Sequence, residues 1–227
     1  MRTKITSLNL YNQLCHLHLE HQIGVITFHM AGISVKINTT DTVGITLQAW
    51  LKQYLLDNNY YFSEPYNTQE FPDFFLDDIE PYKHMLEVKA FNYNATPAFD
   101  IANFESYCSL VKEAPYILDT DYLIFGYTMN HTGDISIKNI WLLKIWEIAG
   151  TSQRYPLKTQ IKRDMIYNIR PNSNFKTNKS SPFNSKEEFL KAIYNTLIDY
   201  KGILLATEWK NTLTYNFETY YGYTLLF

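Results

Sequence analysis

Two stretches constrain the fold of this chain more than any others. Tyr122 to Met129 and Ile140 to Ile148 are largely apolar in both alternation classes, Lys144 being the exception within the second. A strand with one wet face alternates apolar and polar residues, whereas a strand apolar on both faces must be covered on both. Both segments are therefore expected as central strands, and the chain as an α/β or α+β protein. Its 227 residues suffice for one well-buried domain. No internal repeat, low-complexity tract or linker divides it, so a single domain over 1–227 is expected.

The remaining elements follow from periodicity. Gly24 to Met30 and Ile33 to Ile37 read as short strands about an Ala31-Gly32 turn. His16, His18 and His21 cluster just ahead of them with one cysteine, Cys15, and one carboxylate, Glu20, rather than the set of either that a metal site would add, so solvated or hydrogen-bonded rings are expected. A helix is expected from Asp41, capped by Thr40 or Asp41, because Val43, Leu47, Trp50, Leu51, Tyr54 and Leu55 recur at helical spacing up to Asn58-Asn59. Thr96-Pro97 marks another helix start, with Ile101, Phe104, Cys108 and Val111 as its apolar stripe. Ser185-Lys-Glu-Glu188 is a capping-box pattern opening a helix that buries Phe189, Ile193, Tyr194 and Leu197 and stops near Gly202. The aromatic run from Ile203 to Phe227 reads as strand, since Tyr and Phe favour sheet.

Chemistry concentrates between Phe71 and Phe91. Pro72-Asp73 opens one strand, a polar turn follows, and Glu87-Val-Lys89 sits on the next. Side chains two apart on a strand project the same way, so Glu87 and Lys89 share a face while Leu86, Val88 and Ala90 take the other. Pairing of the two strands brings Asp73 to the same place. Two carboxylates and an ammonium suit metal-dependent phosphodiester hydrolysis: a divalent cation bridges carboxylate and phosphate oxygens while a lysine steadies the attacking water. The competing acid-x-Lys triplets, Asp199-Tyr-Lys201 and Glu208-Trp-Lys210, have no Pro-Asp at hairpin distance. The plainer alternative is a solvated face with an ordinary ion pair. Asp77, Asp78 and Glu70 stand near enough in sequence to lend a further oxygen.

The net charge of −3 hides an uneven distribution. Glu64, Glu70, Asp73, Asp77 and Asp78 lie between Asp57 and Glu80 with no Lys or Arg among them. The segment 154–180 instead carries Lys158, Lys162, Arg163, Arg170 and Lys176 against Asp164 alone up to Lys179. An acidic, metal-collecting segment and a separate basic one fit a DNA enzyme. Arginine and lysine match guanine's major-groove acceptors, and Asn and Gln match adenine. Lys158, Gln160, Lys162, Arg163, Asn168 and Arg170 are thus the candidate DNA-contacting set. Cys15 and Cys108 are too few for a disulfide framework or a Cys-rich zinc site. No segment reads as a signal peptide or membrane span, so a cytoplasmic protein is expected.

Asp73, Glu87 and Lys89 resemble the core of the PD-(D/E)XK nuclease superfamily. The run Ser63-Glu-Pro-Tyr-Asn-Thr-Gln-Glu-Phe-Pro-Asp-Phe74 and the helix start Phe183-Asn-Ser-Lys-Glu-Glu-Phe-Leu190 are similar to EcoRV-like type II restriction endonucleases. Gly44-x-x-x-Gln48-x-Trp50-Leu51, Phe99-Asp-Ile-Ala-Asn-Phe104, Lys158-Thr-Gln-Ile-Lys162 and Tyr167-Asn-Ile-Arg-Pro171 resemble the NgoBV/NlaIV group of restriction enzymes more closely. The resemblance implies a mixed central β-sheet flanked by helices and a homodimer clasping double-stranded DNA. It implies one Mg²⁺ centre per subunit held by Asp73 and Glu87, with Lys89 acting on water. It further implies double-strand cuts that leave 5′-phosphates, a short palindromic target such as GGNNCC, and a cognate DNA methyltransferase encoded nearby. Related enzymes often place a glutamate on the early helix, where this chain has Gln48, an auxiliary candidate that brings no charge. A structure-selective repair or recombination nuclease of the same fold, and a non-catalytic β-rich binding module, are the competing readings.

Overall fold

The computed structural model describes residues 2–67 and 70–227; Thr68 and Gln69, within the Ser63 to Phe74 run, lie outside the described residues. In chain order the elements are α1 (Ser7–His16), β1 (Gly24–Met30), β2 (Ile33–Ile37), α2 (Val43–Asp57), β3 (Phe74–Phe75), β4 (Met85–Asn92), β5 (Ala102–Asn103) and α3 (Phe104–Glu113). There follow β6 (Asp121–Met129), β7 (Asp134–Leu143), α4 (Ile145–Ile148), β8 (Thr159–Lys162), β9 (Met165–Ile169), α5 (Lys186–Lys201) and α6 (Ile203–Tyr221). The chain divides into two units. The first runs to Pro97 and resumes over Asp121–Leu143; the second takes Ala98–Thr120 and Lys144–Phe227.

The first unit holds a six-stranded sheet in the order β2-β1-β7-β6-β4-β3. It is mixed: β4 runs parallel to β6, and the other pairs are antiparallel. β6 lies centrally and is buried from Tyr122 to Tyr127, as its two apolar faces require. Leu10 and Leu14 of α1 and Leu51 and Leu55 of α2 pack into one core with Leu86, Val88, Leu123 and Phe125. α1 escaped the sequence reading, although Leu10 and Leu14 sit four apart and Thr6 accepts from the Asn9 N–H at 3.2 Å as a helix cap. The strand expected over Ile140 to Ile148 is displaced. β7 starts at Asp134 and ends at Leu143, and Ile145–Ile148 form a helical turn in which Glu147 Oε2 accepts from the Lys144 N–H at 2.6 Å. Lys144, the polar break in the apolar run, is the boundary.

In the second unit, β5, β9 and β8 form a three-stranded antiparallel sheet, and α6 packs against α3 and α5. Two expectations fail here. The helix after Thr96-Pro97 begins only at Phe104, because Asn103 supplies the cap, its Oδ1 accepting from the Ser106 N–H at 3.0 Å, while Ala102 and Asn103 pair with β9. The run from Ile203 is helix rather than strand. Ala206, Trp209, Leu213 and Phe217 fall at helical spacing on its buried side, and Trp209 Nε1 donates to the Cys108 carbonyl at 2.7 Å. Burial against two helices overrides the sheet preference of its tyrosines. α5 begins where its capping box directed, with Ser185 Oγ accepting from the Glu188 N–H at 3.3 Å.

Candidate active site

Everything expected of the hairpin lies within the first unit. β3 is only two residues long and pairs antiparallel with β4, Phe74 facing Leu86 and Phe75 facing Met85. One residue further along that register, Asp73 stands opposite Glu87. The two acids are stitched across the pair: the Asp73 N–H donates to Glu87 Oε2 at 3.1 Å, and Asp73 Oδ2 accepts from the Val88 N–H at 2.7 Å. Lys89, on the same face of β4, places Nζ 2.8 Å from Glu87 Oε1. Glu87 is buried, with 8% of its surface exposed. A surface ion pair would not be so enclosed, and removing either partner would strand a charge away from water.

Gln48 completes the arrangement from α2. It lies one turn before Leu51 on the helix's inner side, and its Nε2 donates to Asp73 Oδ1 at 2.7 Å. The amide therefore turns its N–H₂ to the carboxylate, and an oxygen in that place would repel an ionised Asp73. Burial, then the nearby charge of Glu87, push the Asp73 carboxyl up to about 7; the Val88 N–H, Lys89 and Gln48 oppose that rise. A cation relieves such a pair of crowded acids.

The donor set fits a hard divalent ion. Each of the four carboxylate oxygens of Asp73 and Glu87 accepts one hydrogen bond or ion-pair contact, which leaves each a second lone pair. Mg²⁺ asks for one or two carboxylates, with water and phosphate oxygens supplying the rest. Among the described residues no group of three or more His, Cys, Asp or Glu is placed to hold a metal. Asp77 and Asp78 instead take Lys4 at 2.9 and 2.7 Å, and Glu70 is exposed. His18 and His21 are exposed, with His18 Nδ1 3.2 Å from Glu20.

The six candidate DNA-contacting residues lie in the second unit and divide into two kinds. Lys158 Nζ donates to the Pro171 carbonyl at 2.9 Å, and burial followed by Arg170 lowers its pKa. Arg170 is paired with Asp100, and Asn168 Nδ2 donates to Gln160 Oε1 at 3.0 Å. Those four brace the β8–β9 hairpin. Arg163 and Asp164 form its turn, both with positive φ (51° and 61°), as a right-twisted two-residue hairpin demands. Arg163 is therefore carried out at the tip, exposed, and Lys162 beside it lies 5.2 Å over the Tyr167 ring. A two-residue Arg-Asp turn was readable between the apolar positions Ile161 and Met165; the internal bonds of the other four were not.

Comparison with known proteins gives the same answer. The family model for NgoBV restriction endonuclease matches residues 4–227. The type II restriction enzyme NlaIV of Neisseria lactamica is 39% identical over 176 residues, 77% of this chain and 72% of that protein. The type II restriction enzyme NgoBV of Neisseria gonorrhoeae is 35% identical over 140 residues, 62% of this chain and 79% of that one. The solved structure of NlaIV restriction endonuclease superposes with a TM-score of 0.91 at 33% identity, covering 99% of this chain and 93% of that chain. With Asp73 hydrogen-bonded beside the buried Glu87, an adjoining lysine and a match along nearly its whole length, this chain belongs to the NgoBV restriction endonuclease family.

Proposed function

We propose that this chain is a type II restriction endonuclease, a site-specific deoxyribonuclease that hydrolyses both strands of duplex DNA at a short palindromic sequence and leaves 5′-phosphates. The observation that carries the catalytic part is the Lys89 ammonium 2.8 Å from Glu87, on a strand whose next amide, Val88 N–H, holds Asp73. Asp73 and Glu87 would hold Mg²⁺, which supplies charge neutralisation at the scissile phosphate and a more acidic bound water. Lys89 reaches the same point as a donor, where it orients the attacking water and offsets charge growing on the phosphate oxygens. Glu87 keeps that ammonium aimed. Water adds to phosphorus, the bond to the 3′ oxygen breaks, and the products are a 5′-phosphate and a 3′-hydroxyl. Gln48 holds Asp73 in place, in keeping with an auxiliary role. Arg163 and Lys162 at the hairpin tip are the DNA contacts we favour.

Two strands require two such centres, so the working species is a homodimer. A cognate methyltransferase would shield host DNA, and both would act in the cytoplasm; no helix among the described residues is long and apolar enough to cross a membrane. Incubation of the purified chain with plasmid and phage DNA in Mg²⁺ is expected to give discrete fragments, abolished by EDTA. A smear, or intact DNA across varied substrates, would sink the restriction reading.

A further inference from the structure

The early helix brings a second polar side chain to the neighbourhood of the acid pair. Gln48 and Lys52 are four apart on α2, so they share one flank of the helix, about 6 Å apart along its axis. Leu51 and Leu55 mark the buried side, and Lys52 takes the outer edge of that flank. Its Nζ stands 2.5 Å from Glu64 Oε2, the two side chains being 43% and 31% exposed. Glu64 belongs to the segment that runs into Asp73. Ser63 and Phe75 exchange both backbone hydrogen bonds in an antiparallel bridge, at 2.9 and 2.8 Å. One step along that register, Glu64 stands opposite Phe74, the residue after Asp73. The ion pair therefore closes beside the site in which Gln48 and Glu87 hold Asp73. We infer that Lys52 binds the DNA phosphate adjoining the scissile one, and that Glu64 withholds the ammonium until DNA displaces it.

A DNA strand carries a negative charge at every nucleotide. A strand that lays one phosphate against Asp73, Glu87 and Lys89 must carry its neighbours past the same rim, and one turn of α2 is on the order of that step. An uncovered carboxylate there would repel the strand, whereas an ammonium would hold it. The pair is neutral in the free chain, so it hides a cation where the substrate needs one. It is also easily opened, because an ion pair between part-exposed groups holds weakly. Lys158 differs, since its ammonium is part-buried and bonded to the Pro171 carbonyl. Lys4 and Lys83 are paired too, but Asp77, Asp78 and Glu80 lie in the turn between β3 and β4, not in the segment leading into Asp73. A phosphate contact sets register and affinity and does not read bases, so Lys52 should serve cognate and random duplex alike. The inference rests on the nuclease reading for the place of the DNA.

The two partners should shift DNA affinity in opposite directions, which a pair that merely braces the fold cannot do. Binding of a labelled duplex of mixed sequence is measured in Ca²⁺ at several salt concentrations. Lys52→Ala is expected to weaken binding about tenfold at low salt and to lower the salt slope by about one, while Lys52→Arg keeps the slope. Glu64→Gln frees the ammonium and should tighten binding about threefold, the scale of a part-exposed ion pair. In the Lys52→Ala background the same substitution should gain much less. Glu64→Gln keeps the test decisive even where Lys52→Ala lowers the melting temperature. Weaker binding by both single variants, an unchanged slope in Lys52→Ala, or an equal gain from Glu64→Gln with and without Lys52 overturns the assignment and leaves the nuclease reading standing. A chain that binds no duplex at all overturns both.

Discussion

Gln48 donates from Nε2 to Oδ1 of Asp73 at 2.7 Å, so the early helix supplies the acid pair with a hydrogen-bond donor in place of a third negative charge. Gln48→Leu removes that donor and leaves a half-buried carboxylate short of a partner. A loss of about 1–3 kcal/mol is expected at pH 8. At pH 5 the protonated acid needs the donor less and the loss should shrink. Urea denaturation at the two pH values measures both, and equal losses would show that Gln48 merely packs.

Asp73 is held up at about 7 by burial and by Glu87, well above the value near 4 of an unfolded carboxyl. Between those values the folded chain binds more protons than the unfolded one, so stability falls as pH rises from about 4 to 7. In EDTA the melting temperature should therefore drop across that window, and Asp73→Asn should flatten the drop. Mg²⁺ competes with the same proton, so it should raise the melting temperature more at pH 8 than at pH 5. Identical slopes for wild type and Asp73→Asn would contradict this account.

Lys89→Ala is expected to lower single-turnover cleavage by about a thousandfold, the scale of losing one pre-aimed donor to developing charge. Binding to cognate DNA in Ca²⁺ should change little. The substitution also leaves Glu87, buried at 8% exposure, without its cation, so a modest fall in melting temperature should accompany it. Cleavage within tenfold of wild type would remove Lys89 from the chemistry.

Arg163 and Lys158 should behave differently though both are basic residues of one hairpin. Arg163→Ala, at the exposed turn, is expected to weaken DNA binding and reduce the salt slope by about one. Lys158→Ala, whose ammonium is spent on the Pro171 carbonyl, should lower stability while the salt slope stays unchanged. Binding isotherms at several salt concentrations, beside thermal melts, separate the two.

Gly126 on β6 faces a stack in which the Tyr93 and Trp141 rings lie 6.3 Å apart and 14° from parallel. A Cβ there would sit 2.9 Å from Trp141 Cζ3 and 2.9 Å from Tyr93 Cδ2. Gly126→Ala should therefore cost about 1–3 kcal/mol by overpacking, visible as a lowered denaturation midpoint with altered tryptophan fluorescence. An unchanged midpoint would mean that the stack moves aside freely.

Much of the fold was legible because periodicity reports which face is buried. β1 and β2 end where the Ala31-Gly32 turn placed them, α5 begins at its capping box, and β6 lies at the centre of the sheet as its two apolar faces demanded. The site was legible for a related reason. Glu87 and Lys89 are two apart on a strand, and strand geometry alone puts them on one side. Where the reading failed, local preference met a stronger distant contact. Tyrosines and phenylalanines favour strand, but α6 buries Trp209, Leu213 and Phe217 in the second unit as a helix.

What the sequence determined by itself, then, was the period of each segment and the spacing of its charged groups, since both are properties of a short stretch of backbone. What only the tertiary structure decided was which polar groups still have bonds to offer. Gln48 and Asp73 are 25 residues apart and meet because α2 packs beside β4. Lys158 and Arg170 look as available as Arg163 in the sequence, yet Pro171 and Asp100 have claimed them, because a hydrogen bond goes to whatever partner folding brings within reach.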